Sequence, residues 1–164
     1  MKKMAVHNGT FHADDVFGVA LMQSIYNDLE VIRTRDEELL KTCDVVSDVG
    51  NGKYDHHHVG KETRENGIPY CGFGLLWRDF GISYINSQFP QLTSTKEQQE
   101  VSQKVDTIFI QQIDANDNGV DVMTSEVPIM TISDVIKTYI PAGGSETEIE
   151  EAFFEAVEFA KKIL

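Results

Sequence analysis

An Asp-His-His-His run at residues 55–58 holds three of the five histidines in the chain. Each imidazole carries polar nitrogens that need a partner when they are buried, so packing alone does not explain the run. The other two histidines, His7 and His12, lie close together near the start of the sequence. Clustered histidine and aspartate residues are typical of metal sites. A solvated loop or a tag remnant is the alternative, but an interior run preceded by Tyr54 is a poor tag, and a metal site is the better interpretation.

Acidic residues at three further places could join these histidines. They are Asp14 with Asp15, Asp48, and Asp114 with Asp117. Taken singly, each is better explained as a helix N-terminal acid or a turn residue, but together they would require several coincidences. Imidazole and carboxylate ligands without thiolates suit Mn²⁺ or a similar first-row ion better than structural zinc. Two such ions are the usual machinery for phosphoester hydrolysis, because they activate a water and hold the attacking and leaving oxygens.

The elements that must position these residues alternate between strand and helix, which predicts an α/β fold with a mainly parallel sheet flanked by helices. Ligands of open α/β sheets lie beyond the carboxyl ends of the strands, so His7, Asp48 and the His run could converge on one rim. Residues 127–132 could be a strand or a buried extended segment. The sequence predicts strands at 4–6, 29–34 and 44–50, and helices at 14–26, 36–41, 71–80, 97–113, 132–139 and 146–164.

Composition bounds the function classes. A length of 164 residues predicts one domain, and 14 basic against 27 acidic residues give a formal net charge of -13. Such a chain repels long polyanions, so the composition disfavours a long duplex as partner. Cys43 and Cys71 suit a reducing compartment, and no stretch is apolar enough to be a signal core or a membrane span. A cytoplasmic protein without a membrane partner is therefore expected, and a homo-oligomer remains open.

Five motifs occur in order along the chain: HNGTFHADD at 7–15, DVG at 48–50, YDHH at 54–57, GFGLLWRDFG at 72–81 and IDANDNG at 113–119. Together they resemble the motifs of the melanocyte-proliferating-gene family of metal-dependent hydrolases or exonucleases, which is related to the DHH phosphoesterase superfamily. Generic DHH proteins have an aspartate at the position of His12, whereas the closer family has a histidine there. Members of that family are about twice as long, so the chain resembles their first half, without the second half that helps to bind substrate in DHH enzymes.

The resemblance implies one three-layer, Rossmann-like DHH domain over residues 1–164, and a role for each matching residue. His58 has no counterpart role and is expected to be structural or solvated. Asp114 is slightly preferred to Asp117, because a helix end positions a carboxylate more rigidly than a loop. The implied roles are His7 and His12 on a first metal, Asp14 and His56 on a second, Asp48 bridging both, Asp114 or Asp117 completing the site, His57 on the scissile phosphate, Asp55 orienting an imidazole, and Asp15 supporting the ligands or capping a helix.

The expected activity is hydrolysis of a phosphodiester or phosphoanhydride in a nucleotide or short oligonucleotide, with two Mn²⁺ or Mg²⁺ ions. Two other hypotheses stay open because the second half of the family is absent. The chain could be a metal- or nucleotide-binding module without turnover, or a subunit that needs a partner chain.

Overall fold

Three short parallel strands form the sheet of the computed structural model, which describes residues 1–57, 61–121 and 123–164. The strand order is β2-β1-β3, with β1 pairing in parallel with both neighbours. The strands are β1 (Lys3–Val6), β2 (Glu30–Arg33) and β3 (Val45–Val46). The α-helices are α1 (Ala13–Ile25), α2 (Glu37–Leu40), α3 (Gly72–Gln88), α4 (Thr95–Val105), α5 (Gln111–Asp117), α6 (Ile132–Lys137) and α7 (Glu146–Ile163), and a π-helical segment, Asp106–Ile110, joins α4 to α5.

Alternate residues of β1 face two different cores, as expected for a strand with period two. Met4 and Val6 are fully buried in the main core, which is built largely from α1, α3, α5 and α7. Ala5 belongs instead to a small cluster with Leu40 of α2 and Val49. The sheet is therefore covered on both sides, thickly on one and thinly on the other.

Helix α1 lies at the centre of the main core, with ten consecutive residues buried from Ala13 to Met22. It packs against α3 on one side and α7 on another. Burial this complete carries Asp14 and Asp15, in the first turn, into the interior. A helix N-terminus favours negative charge, which partly offsets the cost of burying these two carboxylates.

The predicted α/β class, with a small parallel sheet flanked by helices, is confirmed. The third strand is shorter than expected, because Asp48, Gly50 and Asn51 adopt positive φ angles that extended backbone does not allow. The expectation for residues 127–132 is wrong. Residues 127–131 carry no strand, and Val127 and Met130 are 70% and 74% exposed. Within the described part of the chain, no helix combines the length and the apolar character needed to cross a membrane.

Candidate metal centre

The carboxyl ends of β1 and β3 bring together two residues that are 41 positions apart. His7 directly follows β1, and Asp48 lies two residues beyond β3. Both side chains are almost completely buried, and His7 Nε2 lies 3.3 Å from Asp48 Oδ2. The two residues therefore meet at the sheet edge where ligands of α/β proteins bind.

The backbone at Asp48 holds its carboxylate in an unusual conformation. Its φ of 57° lies in the left-handed region, which is uncommon for a non-glycine residue and concentrates at functional sites. The Asp48 N–H donates to the carbonyl oxygen of Tyr54 at 2.9 Å. Gly72 at the start of α3 packs beneath this turn, where an added Cβ would lie 2.9 Å from Ser47 Oγ and 3.3 Å from Asp48 Cβ. A Cβ at 72 would therefore force Ser47 or the turn to shift, and glycine lets α3 approach the turn closely.

The first turn of α1 supplies two buried carboxylates and one exposed imidazole. Asp15 Oδ2 accepts the backbone N–H of His12 at 3.0 Å, so Asp15 caps the helix, and the same oxygen lies 3.0 Å from His7 Nε2. Asp14 is 1% exposed and faces His56 instead of His7, with its Oδ2 3.9 Å from His56 Nε2.

The His run divides between the interior and the surface. The His56 side chain is 5% exposed, and its Nε2 lies 3.0 Å from Asp48 Oδ1 and 3.1 Å from Asp117 Oδ2. The His57 side chain is 59% exposed, and its Nδ1 lies 2.8 Å from Asp55 Oδ1 and 3.3 Å from Asp48 Oδ1. These residues lie in an irregular segment after Tyr54, which forms an isolated parallel bridge with Ser47. His58 lies outside the described residues.

Asp55 lies behind the cluster and holds its surroundings in place. Its Oδ1 accepts the backbone N–H of His57 at 3.0 Å, and its Oδ2 accepts the N–H of Asn51 at 2.6 Å. Burial opposes ionisation of Asp55, but these hydrogen bonds lower its pKa below the ordinary value. An ionised Asp55 is therefore placed to orient the His57 ring.

The two aspartates of α5 face different surroundings. Asp117 contacts His56, whereas Asp114 is completely buried against Arg64, with Arg64 Nη2 2.7 Å from Asp114 Oδ2. Asp114 Oδ1 also accepts the Cys71 thiol at 2.7 Å and the Gly74 N–H at 3.1 Å. Burial raises the pKa of Asp114 to about 6, although the Arg64 charge opposes this. The geometry thus favours Asp117 as a ligand and gives Asp114 a structural contact, which differs from the sequence-based preference.

Asparagine substitutions should separate these two aspartates. Asp114→Asn should keep the metal affinity and lower the free energy of unfolding by about 1–3 kcal/mol, because buried Arg64 loses a charged partner. Asp117→Asn should change stability little and weaken Mn²⁺ binding at least about tenfold. Urea unfolding and calorimetric Mn²⁺ titration of both variants check this, and the reverse pattern would restore Asp114 as the ligand.

Several buried polar atoms of the cluster lack a hydrogen-bond partner. Both carboxylate oxygens of Asp14, Oδ1 of Asp15, Oδ1 of Asp48 and Nε2 of His56 have no hydrogen-bond partner among the described residues. Asp48 Oδ1 and His56 Nε2 lie 3.0 Å apart but are not aligned for a hydrogen bond. A buried polar group without a partner costs about 1–3 kcal/mol, which coordination to a cation would remove.

The ligand atoms also lie close enough to share ions. Within each of four groups they lie no more than 4.8 Å apart, and all are carboxylate oxygens or imidazole nitrogens, a donor set without thiolate that suits Mn²⁺ or a similar divalent ion. The residues therefore fit divalent cations, without fixing which one. The groups are His7 with His12 and Asp15; Asp48 with His56 and His57; His12 with Asp14 and Asp117; and Asp14 with Asp15 and Asp48.

Protonation of the cluster follows from burial and mutual contact. Burial raises the pKa of Asp14 well above its ordinary value, and the nearby carboxylates of Asp48, Asp15 and Asp117 add to the effect. Burial alone would lower the pKa of His7, but hydrogen bonds with Asp15 and Asp48 outweigh it and raise that pKa to about 10. Without an ion, His7 is thus protonated at neutral pH.

Metal uptake should therefore release protons. Because coordination needs a neutral imidazole, an ion that binds His7 must displace its proton, and the apparent affinity should rise up to about tenfold per pH unit between pH 6 and 8. Calorimetry at pH 7.5 in two buffers of different ionisation enthalpy measures the release, which should be about one proton or more per chain. Equal heats in both buffers would contradict this assignment of His7.

The stability of the metal-free chain should show the opposite trend for the same residue. The pKa of His7 in the folded chain lies above its ordinary value of 6.5. The contacts of protonated His7 with Asp15 and Asp48 therefore add their full contribution to the free energy of unfolding below about pH 6.5. This contribution is lost as the pH rises towards 10.

A cavity of about 570 Å³ opens beside the cluster. It is lined by the loop after β1, by Arg35, by the turn at Asp48 to Gly50, and by Asp55 and His57. The exposed His57 ring therefore borders a space large enough for a small phosphorylated ligand.

Comparison with known proteins identifies the family. A family model named MYG1_exonuc, described as "Uncharacterised protein family (UPF0160)", matches residues 3–164. A MYG1 protein of Schizosaccharomyces pombe is 29% identical over 99% of this chain and 55% of its own length. The MYG1 exonuclease of Mus musculus is 36% identical over 72% of this chain and 35% of its own length.

A bacterial relative matches as much of this chain as the Schizosaccharomyces pombe protein does. The MYG1 protein of Chlamydia muridarum is 30% identical over 99% of this chain and 53% of its own length. The chain thus spans between about a third and just over half of the relatives it matches. No solved structure gives a significant match. The extent of the family match shows that the chain belongs to the MYG1 family.

Proposed function

We propose that the chain is a metal-dependent phosphoesterase domain that hydrolyses a phosphodiester or phosphoanhydride of a nucleotide or short oligonucleotide, with two Mn²⁺ or Mg²⁺ ions. The observation that carries the proposal is the buried set of imidazole and carboxylate atoms without hydrogen-bond partners, at the carboxyl edge of the sheet and beside an open cavity. On its motifs we also assign the chain to the DHH superfamily, as a single domain over residues 1–164.

The two oxygens of Asp48 support a two-ion arrangement. Oδ2 faces His7 at 3.3 Å, whereas Oδ1 faces His56 at 3.0 Å. A carboxylate that presents one oxygen to each half of a cluster is suited to bridge two ions. We assign His7 and His12 to the first half. Asp14, His56 and Asp117 form the second.

The ions and the residues beside them have different roles in the proposed reaction. The bound ions would activate a water and neutralise charge on the phosphoryl oxygens. His57 is exposed at the cavity and held by Asp55, so it can donate a hydrogen bond to a phosphate oxygen. Asp15 holds His7 and the start of α1 in place.

Charge limits the size of the substrate. The net charge of -13 disfavours a polyanion that must contact many cationic groups, so short oligonucleotides and mononucleotide-like esters should be preferred to long duplexes. The mouse and human relatives are named exonucleases, which is consistent with an end of a nucleic-acid strand as substrate.

A second candidate arises from length, because the chain spans only part of its relatives. If the matched part does not form a complete catalytic site by itself, the same centre would bind metal and nucleotide without turnover, or act as a subunit that needs a partner chain.

Turnover of bis-p-nitrophenyl phosphate and of an end-labelled five-nucleotide DNA, with and without Mn²⁺, tests the proposal. We expect Mn²⁺-dependent release of nitrophenol and shortening of the DNA from one end. Mn²⁺ uptake without either product would favour the non-catalytic candidate, and absence of Mn²⁺ uptake would reject both.

A further inference from the structure

The third strand end of the sheet also presents a residue with chemistry. Arg35 lies two residues beyond β2, as Asp48 lies two residues beyond β3, and His7 directly follows β1 between them. In a parallel sheet these three ends share one edge. The edge therefore carries a cation on one flank and the metal-ligand cluster on the other.

The backbone around Arg35 is fixed on both sides. The N–H of Thr34 donates to the Val6 carbonyl at 2.8 Å, which ties this turn to β1. The N–H of Asp36 donates to Thr34 Oγ1 at 3.0 Å, and Asp36 Oδ1 caps α2 by accepting the N–H of Glu38 at 2.8 Å. Arg35 thus starts from a rigid connection between strand and helix.

Arg33 and Arg35 differ in how their side chains are held. Arg33 donates to Glu150 Oε2 at 3.0 Å and to the Gly9 carbonyl at 2.6 Å, and its guanidinium lies 4.2 Å from the Phe153 ring centre. Arg35 is exposed, and its side chain makes no hydrogen bond or ion pair with any residue in the described ranges. Its guanidinium is therefore available to a ligand.

Arg35 lines the cavity beside the cluster, together with His7, Asp48 and His57. Among the described residues of that lining, it is the one lysine or arginine. A phosphorylated ligand that approached the acidic cluster would need a local positive charge to offset the net charge of -13. A guanidinium can meet two phosphate oxygens at once, which an ammonium cannot.

We propose that Arg35, which lines the cavity next to the His and Asp cluster, binds a phosphate group of the substrate and holds it towards His57. This inference rests on the proposed function and adds a substrate-binding residue to it. It also narrows the ligand to one with a phosphate group within the cavity.

Calorimetric titration of inorganic phosphate into the Mn²⁺-loaded chain tests the inference. Arg35→Ala should weaken phosphate binding about 10- to 100-fold, as expected for loss of a hydrogen bond to a charged group, while Mn²⁺ stoichiometry is kept. Arg35→Lys keeps the charge without the fork and should fall between wild type and alanine. Lys104→Ala removes an exposed charge on α4, away from the cavity, and should change phosphate affinity less than about twofold.

The outcomes separate this inference from the proposed function. Three results would overturn the inference alone, with Mn²⁺ uptake and turnover normal. The first is equal phosphate affinity in the wild type and Arg35→Ala. The others are an equal loss of phosphate affinity in Lys104→Ala and no phosphate binding by the wild type. Failure of the wild type to take up Mn²⁺ would reject the proposed function and the inference with it. If Arg35→Ala does not fold, Arg35→Lys carries the comparison. In kinetics on bis-p-nitrophenyl phosphate, Arg35→Ala should raise KM more than it lowers kcat.

Discussion

Asp48→Asn should weaken Mn²⁺ binding by more than about 100-fold at one or both ions and remove turnover. The loss should exceed the 10- to 100-fold typical of residues behind metal ligands, because Asp48 faces both halves of the cluster. Asparagine is the most conservative replacement that removes the charge, since it tolerates the left-handed φ of 57° and keeps the size of the side chain. The variant therefore removes charge and one ligand oxygen without refolding the turn.

Calorimetric Mn²⁺ titration and turnover of bis-p-nitrophenyl phosphate measure the effect. Asp44→Asn is the matched control, because Asp44 is an exposed aspartate at the opposite end of β3 that accepts the Lys3 N–H at 2.8 Å. It should leave both quantities within about twofold of the wild type. Two ions bound with unchanged affinity in Asp48→Asn would show that Asp48 bridges nothing.

His56→Ala and His57→Ala should fail in different ways. His56 is buried between Asp48 and Asp117, so its loss should remove metal and turnover together. His57 is largely exposed and oriented by Asp55, so its loss should keep most of the metal and lower kcat about 10²- to 10³-fold, the usual contribution of one positioned hydrogen-bond donor.

The same titration and turnover assay decide between these patterns. His58→Ala is the adjacent control, and from sequence alone it should stay within about 0.5 kcal/mol of the wild-type stability. Equal damage from all three substitutions would mean that the run acts as one structural unit and that the division of roles is wrong.

The alternation of apolar segments was sufficient to predict the α/β class and the strand ends that carry His7 and Asp48. The length of β3 could not be predicted, because Asp48 is a non-glycine residue at positive φ, which local sequence rarely indicates. The helix predicted at 97–113 instead continues through the π-helical segment and α5 to Asp117.

The choice between Asp114 and Asp117 depended on a residue that is distant in sequence. Both lie on α5 three positions apart, and the difference between them is Arg64, which reaches Asp114 from 50 residues away. Gly74 completes this pocket, since an added Cβ there would lie 1.9 Å from Asp114 Oδ2. Arg35 lies just beyond the carboxyl end of a strand, as His7 and Asp48 do. An arginine is not a metal ligand, so a search of the sequence for metal ligands does not find it.

Anomalous diffraction from crystals grown with Mn²⁺ tests the two-ion centre most directly. We predict two manganese peaks per chain, one on each side of the Asp48 carboxylate, with His7 at the first and His56 with Asp117 at the second. One peak, no peak, or peaks away from Asp48 would contradict it.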